Sequence, residues 1–245
     1  MLKKILLIVA AVAVASCSSD KKETTPEKVE DTKKDTVDSQ DNKNVSKTNM
    51  VIAGDLGEID QAMVQKKFDE AKQTVQQCII DGIGRDNFVG GSLNFTFRIN
   101  LDGTVKKIDF QSTVGNRKIE KCIYDFAMKI KFVKPKGGEA KVDFPFSFES
   151  TMEIKKNWTL ENLGRGGKKL FKSVIKCSDG TDNAPSKFKM VFYLLPDAEI
   201  GPMGISSDKK LVSDKFYNCV KKKLKKVKLP DPMGTVAKVI LEVEP

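Results

Sequence analysis

The feature that most constrains the fold is a pair of cysteines that occurs twice. Cys78 and Cys122 are 44 residues apart, and Cys177 and Cys219 are 42 residues apart. Each of the four lies among apolar residues at helical spacing. The repeat period is about 100 residues, which indicates a duplicated domain rather than a solenoid of short repeats.

The apolar patterns around these cysteines run in the same order in both copies. In the first copy, helical spacing covers 68–79 and 119–130, and strand-like alternation covers 93–99, 105–110 and 142–148. In the second copy, the matching helices cover 171–177 and 212–224, and the strands cover 188–194, 200–205 and 239–243. The predicted order of elements in each copy is therefore helix, strand, strand, helix, strand. We predict an α+β fold of two tandem α-β-β-α-β units, at 50–155 and 156–245.

The N-terminus has the pattern of an exported lipoprotein. A basic start precedes the apolar stretch 5–15, which is too short to span a bilayer. Val14-Ala15-Ser16-Cys17 resembles the bacterial lipobox, so we expect residues 1–16 to be a signal peptide and Cys17 to carry lipid. The alternative is an ordinary cleaved signal followed by an unrelated cysteine. No aspartate stands directly after Cys17, which favours the outer membrane over the inner membrane of a bacterial envelope.

The next segment lacks the residues that a core needs. Residues 18–49 contain no aromatic residue, no leucine and no isoleucine. Such a composition cannot bury enough apolar surface to offset chain entropy. We therefore expect 17–49 to be a lipidated, disordered tether.

Export bears on the four remaining cysteines, because disulfides persist outside the cytosol. Four cysteines allow three connectivities. Duplication favours Cys78–Cys122 with Cys177–Cys219, each joining the two helices of its own unit. The alternative is four buried free thiols.

The composition restricts the chemistry available to the chain. The 245 residues include no histidine, which excludes a Ser-His-Asp triad, a Cys-His dyad and a histidine zinc site. Gly164-Arg165-Gly166-Gly167 lacks the full phosphate-loop pattern, so we expect a flexible linker there. We predict no catalytic residues, no cofactor and no metal, and an unrecognised hydrolase remains the less favoured alternative.

Positive charge is concentrated in the second unit. Residues 50–155 carry 16 basic and 15 acidic side chains, whereas 156–245 carry 18 and 10. The densest run consists of Lys221, Lys222, Lys223, Lys225, Lys226 and Lys228. These lysines could bind anionic phospholipid, an anionic envelope polymer or an acidic protein. The alternative is a solvated face, since lysines suit a helix C-terminus. No aromatic residues interleave with the run, so we do not expect nucleic acid as a partner.

Pro145 interrupts the last predicted strand of the first unit. Proline cannot donate to a strand ladder, which predicts an edge strand. The edge could accept a partner strand, or the proline could serve to prevent such pairing.

Several short motifs of the first unit occur together in a known family. They are Gln77-Cys78, Gly91-Ser92-Leu93, Phe97, Ile99, Asp102-Gly103-Thr104-Val105, Ser112-Thr113, Glu120-Lys121-Cys122-Ile123, Phe132, Pro135 and Phe144-Pro145-Phe146. The stretch 75–148 resembles the AgmX/PglI C-terminal domain, a relative of the TonB C-terminal domain. The second unit resembles it more weakly, through Cys177, Cys219 and Leu229-Pro230-Asp231-Pro232.

The resemblance implies both an architecture and a role. It implies a three-stranded antiparallel sheet with two helices on one face in each unit, and a protein-interaction module rather than an enzyme. We therefore expect a lipid-anchored envelope adaptor or scaffold that binds a protein partner. The alternative function is binding of an anionic polymer or lipid surface through the lysines of the second unit.

Overall fold

The architecture is mixed α+β. A computed structural model describes residues 57–152, 156–181, 184–207 and 211–244, all of which belong to one compact unit. The predicted signal peptide, Cys17 and the predicted tether lie outside the described residues. The described part contains four α-helices and two β-sheets.

The first half builds one helix pair and one antiparallel sheet. Its elements are α1 (Gln61–Ile83), β1 (Gly91–Ile99), β2 (Val105–Ser112), α2 (Arg117–Ala127) and β3 (Ala140–Phe148). Both helices begin at side-chain caps: Asp60 accepts from the Met63 amide at 3.1 Å, and Asn116 accepts from the Lys118 amide at 3.0 Å. The strand order is β2-β1-β3.

The core of the first half lies between this sheet and its two helices. The predicted alternation holds along β1, where Leu93, Phe95, Phe97 and Ile99 are all buried. The ring of Phe68 on α1 stacks at 3.9 Å on Phe144 and lies 5.7 Å from Phe97. Burial of large aromatic side chains on one face of the sheet fixes where the helices pack.

The second half has the same order of elements after one additional strand. Its elements are β4 (Lys156–Trp158), α3 (Gly164–Asp179), β5 (Phe188–Leu194), β6 (Ile200–Ser207), α4 (Asp214–Leu224) and β7 (Ala237–Val243), with a short 3₁₀ turn at Pro196–Ala198. The sheet order is β4-β7-β5-β6, and β4 runs parallel to β7. The expected three-stranded antiparallel sheet was wrong here, because β4 is too short to show alternation and forms only by pairing with β7.

The two sheets remain separate, but the halves pack closely. The first half covers the helix-free face of the second sheet, where Val191 and Tyr193 of β5 are fully buried. At the sheet edges the Ser112 amide on β2 donates to Ser206 Oγ on β6 at 3.0 Å. The second sheet is therefore covered on both faces, by α3 and α4 on one side and by the first half on the other.

Candidate functional site

Helices α3 and α4 form an antiparallel layer over the second sheet. Near the end of α3, Cys177 is bonded to Cys219 of α4. At the start of α3, a Cβ on Gly166 would lie 2.5 Å from the carbonyl oxygen of Lys228, just beyond α4. Phe216 of α4 packs edge-on against Phe188 of β5, with 5.1 Å between ring centroids. The outer side of this layer faces solvent.

The solvent side of the layer is dominated by cations, most of them exposed. We define the basic face as Arg165, Lys168, Lys169, Lys172 and Lys176 of α3 together with Lys221, Lys222, Lys223, Lys225, Lys226 and Lys228 of α4 and the residues after it. The α3 members follow helical spacing, so they share one side of that helix. The six predicted lysines are therefore only part of a larger surface.

Few acids neutralise the basic face. The only acids within α3 and α4 are Asp179, the last residue of α3, and Asp214, the first residue of α4. Asp214 is paired with Arg117 of the first half at 2.9 Å. Within the described residues, no ion pair joins a member of the basic face to an acid, whereas other lysines are paired, such as Lys121 with Asp125 at 3.0 Å.

Helix stability does not account for the charge on α3. Lysines near the end of α4 suit the negative end of its dipole. In contrast, Arg165, Lys168 and Lys169 lie in the first turns of α3, where the dipole is positive. This end of α3 also lacks an acidic residue in its first turn and a side-chain cap at Leu163. Part of the basic face is therefore electrostatically unfavourable for the folded chain alone.

The glycine-rich stretch before the predicted helix has a packing role. The structure places Gly164 to Gly167 in the first turn of α3, so the expected flexible linker was wrong. Gly166 faces Lys228, and a Cβ on Gly167 would lie 2.7 Å from the Leu163 Cβ. The missing side chain of Gly166 lets α3 approach the chain after α4, so the start of α3 packs beside Lys228.

The predicted edge strand is present in the first sheet. β3 pairs only with β1, so its outer side has no strand partner in the described part of the chain. The Glu139 carbonyl accepts from the Gly57 amide at 2.7 Å and thus points away from β1. Pro145 is an even number of residues after Glu139, so its backbone groups point the same way. The amide hydrogen that proline lacks would therefore be on the open side of β3. The edge is open but interrupted in its middle.

A polar junction joins the halves on the opposite side from the basic face. The Tyr193 hydroxyl donates to the Val114 carbonyl at 2.8 Å. Lys238 Nζ donates to the Gly90 carbonyl at 2.6 Å and lies 5.8 Å from the centre of the Tyr193 ring. Burial lowers the pKa of Lys238 to about 8. These contacts hold β5 and β7 against loops of the first half.

The same junction contains a buried carboxyl group. Glu120 of α2 is 1% exposed and accepts from Ser112 Oγ at 2.8 Å and from the Gly115 amide at 3.3 Å. Its Oε2 has no hydrogen-bond partner among the described residues. Burial raises the pKa of Glu120, against the opposing effect of the bond from Ser112.

This carboxyl group predicts a pH dependence of stability. Because its folded pKa is raised, its contribution to stability is complete below the unfolded pKa and declines as pH rises through the folded pKa. We expect Glu120→Gln to remove that decline, so the free energy of unfolding should fall less from pH 5 to pH 7 than in the parent chain. Urea unfolding across this range measures it. Glu149→Gln, at an exposed acid, should keep the parental slope, and parallel curves for the parent and Glu120→Gln would contradict the prediction.

The predicted site residues fall into three groups. The disulfides Cys78–Cys122 and Cys177–Cys219 are present, with Cα atoms 5.7 Å and 5.9 Å apart. The six lysines lie together at one end of the helix layer, and Cys17 lies outside the described residues. Sequence reasoning missed the basic residues of α3, although their spacing was visible, and missed Glu120 and Lys238, which only the packing of the halves brings together.

Within the described ranges, no three His, Cys, Asp or Glu side chains are grouped as metal ligands, and no helix is long and apolar enough to cross a bilayer. No protein-family model, no curated protein and no solved structure matches the chain.

Proposed function

We propose that this chain is a non-catalytic, lipid-anchored protein of the bacterial envelope that binds an anionic partner through the basic face. The observation that carries the proposal is the concentration of eleven cations on one helix layer without an acid partner in the described residues. Like charges at this density repel one another, and an anionic surface would relieve the repulsion. The cations at the start of α3 are unfavourable next to the positive end of the helix dipole, and an anionic partner would offset that effect as well.

The proposal also covers the origin of the two halves and their attachment to the envelope. Both halves contain the order α-β-β-α-β and a disulfide between their two helices, which supports a duplicated TonB-like unit. The lipobox-like residues before Cys17 support lipidation of that cysteine, and the absence of an aspartate directly after it supports attachment at the outer membrane. A lipid anchor would hold the basic face near the anionic molecules of the envelope.

The test neutralises six lysines of the basic face and compares this variant with a control variant of the same net charge. In the test variant, the six predicted lysines, Lys221, Lys222, Lys223, Lys225, Lys226 and Lys228, become glutamine. In the control, six exposed lysines of the first half become glutamine: Lys66, Lys118, Lys129, Lys131, Lys134 and Lys136. Binding to long-chain polyphosphate is measured by titration calorimetry.

We expect the test variant to lose at least about tenfold in affinity and the control to lose less than about threefold. The affinity of the parent chain should also fall by at least about tenfold between low and moderate salt, because bound cations release counterions. Equal losses in the two variants would show that net charge alone drives binding and would overturn the proposal. Thermal unfolding of both variants checks that they remain folded.

The open edge of β3 favours a second candidate function, a protein adaptor that pairs with a partner strand. Its outer side lacks a strand partner in the described residues, but Pro145 removes one donor from the middle of it. A photo-crosslinking residue at Ser147 reports a bound strand in cells, and the same residue at Lys222 reports contacts of the basic face. Crosslinks to one protein that form only from Ser147 and survive moderate salt would favour the adaptor.

A further inference from the structure

The loop after the basic run of α4 exposes a large apolar side chain. Met233 is 82% exposed, which is the highest value among the large hydrophobic residues of the described chain. Its backbone φ is +59°, a left-handed conformation that residues other than glycine, asparagine and aspartate rarely adopt. Such conformations persist where the surrounding structure holds them, and they are frequent at functional sites.

The contacts around Met233 hold it in place. Its amide donates to Asp231 Oδ1 at 2.8 Å, and the neighbouring Pro232 carbonyl accepts from Lys156 Nζ at 2.7 Å and from Thr235 Oγ1 at 2.8 Å. Pro232 itself is buried. The turn is therefore anchored on both sides of the methionine, so the exposed side chain is presented at a defined position.

This turn directly follows the basic run that begins in α4. The chain reaches it directly from Lys225, Lys226 and Lys228, and the start of α3 with Arg165 packs beside Lys228. Asp179 and Asp214 of the helix layer lie at its other end, and Asp231, within the turn, accepts from the Met233 amide. An exposed apolar tip among cations is the combination that anionic bilayers bind, since cations meet the headgroups while an apolar side chain enters the acyl region.

We propose that this end of the second half docks on an anionic phospholipid bilayer, with Met233 inserted below the headgroups and the lysines bound to them. The proposal rests on the function proposed above and identifies its partner. A soluble anionic polymer can pair with the lysines, but it has no apolar interior in which the Met233 side chain could be buried. Leucine at position 233 should therefore serve equally well, and serine should not.

The test uses the chain from residue 17 onward with Cys17→Ser, so that no lipid anchors it. Sedimentation with vesicles of phosphatidylcholine containing about 30% phosphatidylglycerol measures bilayer binding, and polyphosphate titration measures charge alone. Met233→Ser should lower vesicle binding about tenfold and leave polyphosphate binding unchanged. The matched control is Leu101→Ser, at an apolar side chain of the first half that is 61% exposed in a turn.

The outcomes separate the two proposals. The six-lysine variant should lose both ligands, and Met233→Leu should retain both. Equal vesicle binding by Met233→Ser, Leu101→Ser and the parent would overturn bilayer insertion while leaving anion binding intact. Unchanged polyphosphate binding by the six-lysine variant would overturn the proposed function itself. In Met233→Trp, a blue shift of the added fluorescence on vesicles supports insertion, and its absence contradicts it.

Discussion

Replacing Cys78 and Cys122 by alanine should lower the free energy of unfolding by about 4 kcal/mol. The bond closes a loop of 44 residues between α1 and α2, so its removal restores a large amount of conformational freedom to the unfolded chain. Cys78 is also buried in the core, and alanine fills less of that space. The pair Cys177 and Cys219, which closes a loop of 42 residues, should show a loss of similar size.

Denaturant unfolding of each double-alanine variant measures this loss, and thermal unfolding should show a fall of about 10 °C in the midpoint. Cys17→Ser is the control, because that cysteine is in neither bond, and its curve should match that of the parent. A double-alanine variant that stays within about 1 kcal/mol of the parent would show that its disulfide does not stabilise the fold.

The elements that sequence predicted best depend on neighbours within one turn or one strand. The alternation of Phe188, Met190, Phe192 and Leu194 predicted β5, and all four side chains are buried beneath α3 and α4. The repeat favoured cysteine pairing within each unit, and the structure confirms both bonds. In each case the chain itself contained the periodicity that the structure uses.

Local periodicity could not predict the contacts between the halves, because those contacts join residues that are far apart in the chain. Met190 to Leu194 forms a continuous apolar run, which is typical of a strand buried on both faces. The alternation that predicts β5 does not identify the segment that covers Val191 and Tyr193, which includes Val114 and Gly115 of the first half. Strand β4 was missed for the same reason.

The candidate site was predicted in part. The lysine run at the end of α4 is contiguous in sequence, so its clustering needed no fold. The α3 cations join it because the missing side chain of Gly166 lets the start of α3 pack against Lys228. The exposure of Met233 depends on the turn held by Asp231 and Lys156, and no local pattern distinguishes it from a buried methionine.

The polar junction holds the two halves together, and a substitution at Gly115 measures how much their packing contributes to stability. Its φ is +70°, and a Cβ there would lie 2.6 Å from Val191 Cγ1 and 3.2 Å from the Tyr193 ring. Gly115→Ala therefore adds a left-handed alanine and also pushes the first half away from the second sheet. We expect a loss of about 3 kcal/mol in the free energy of unfolding, from backbone strain and overpacking together.

Gly137→Ala is the matched control, because Gly137 has a φ of +80° but no atom within 4 Å of an added Cβ. It should lose only about 1 kcal/mol, which is the backbone contribution alone. The difference between the two variants in urea unfolding then reports the packing of the first half against β5. If both variants lose the same amount, Val191 and Tyr193 do not bear on Gly115 in solution, and the basic face and the β3 edge would move independently of each other.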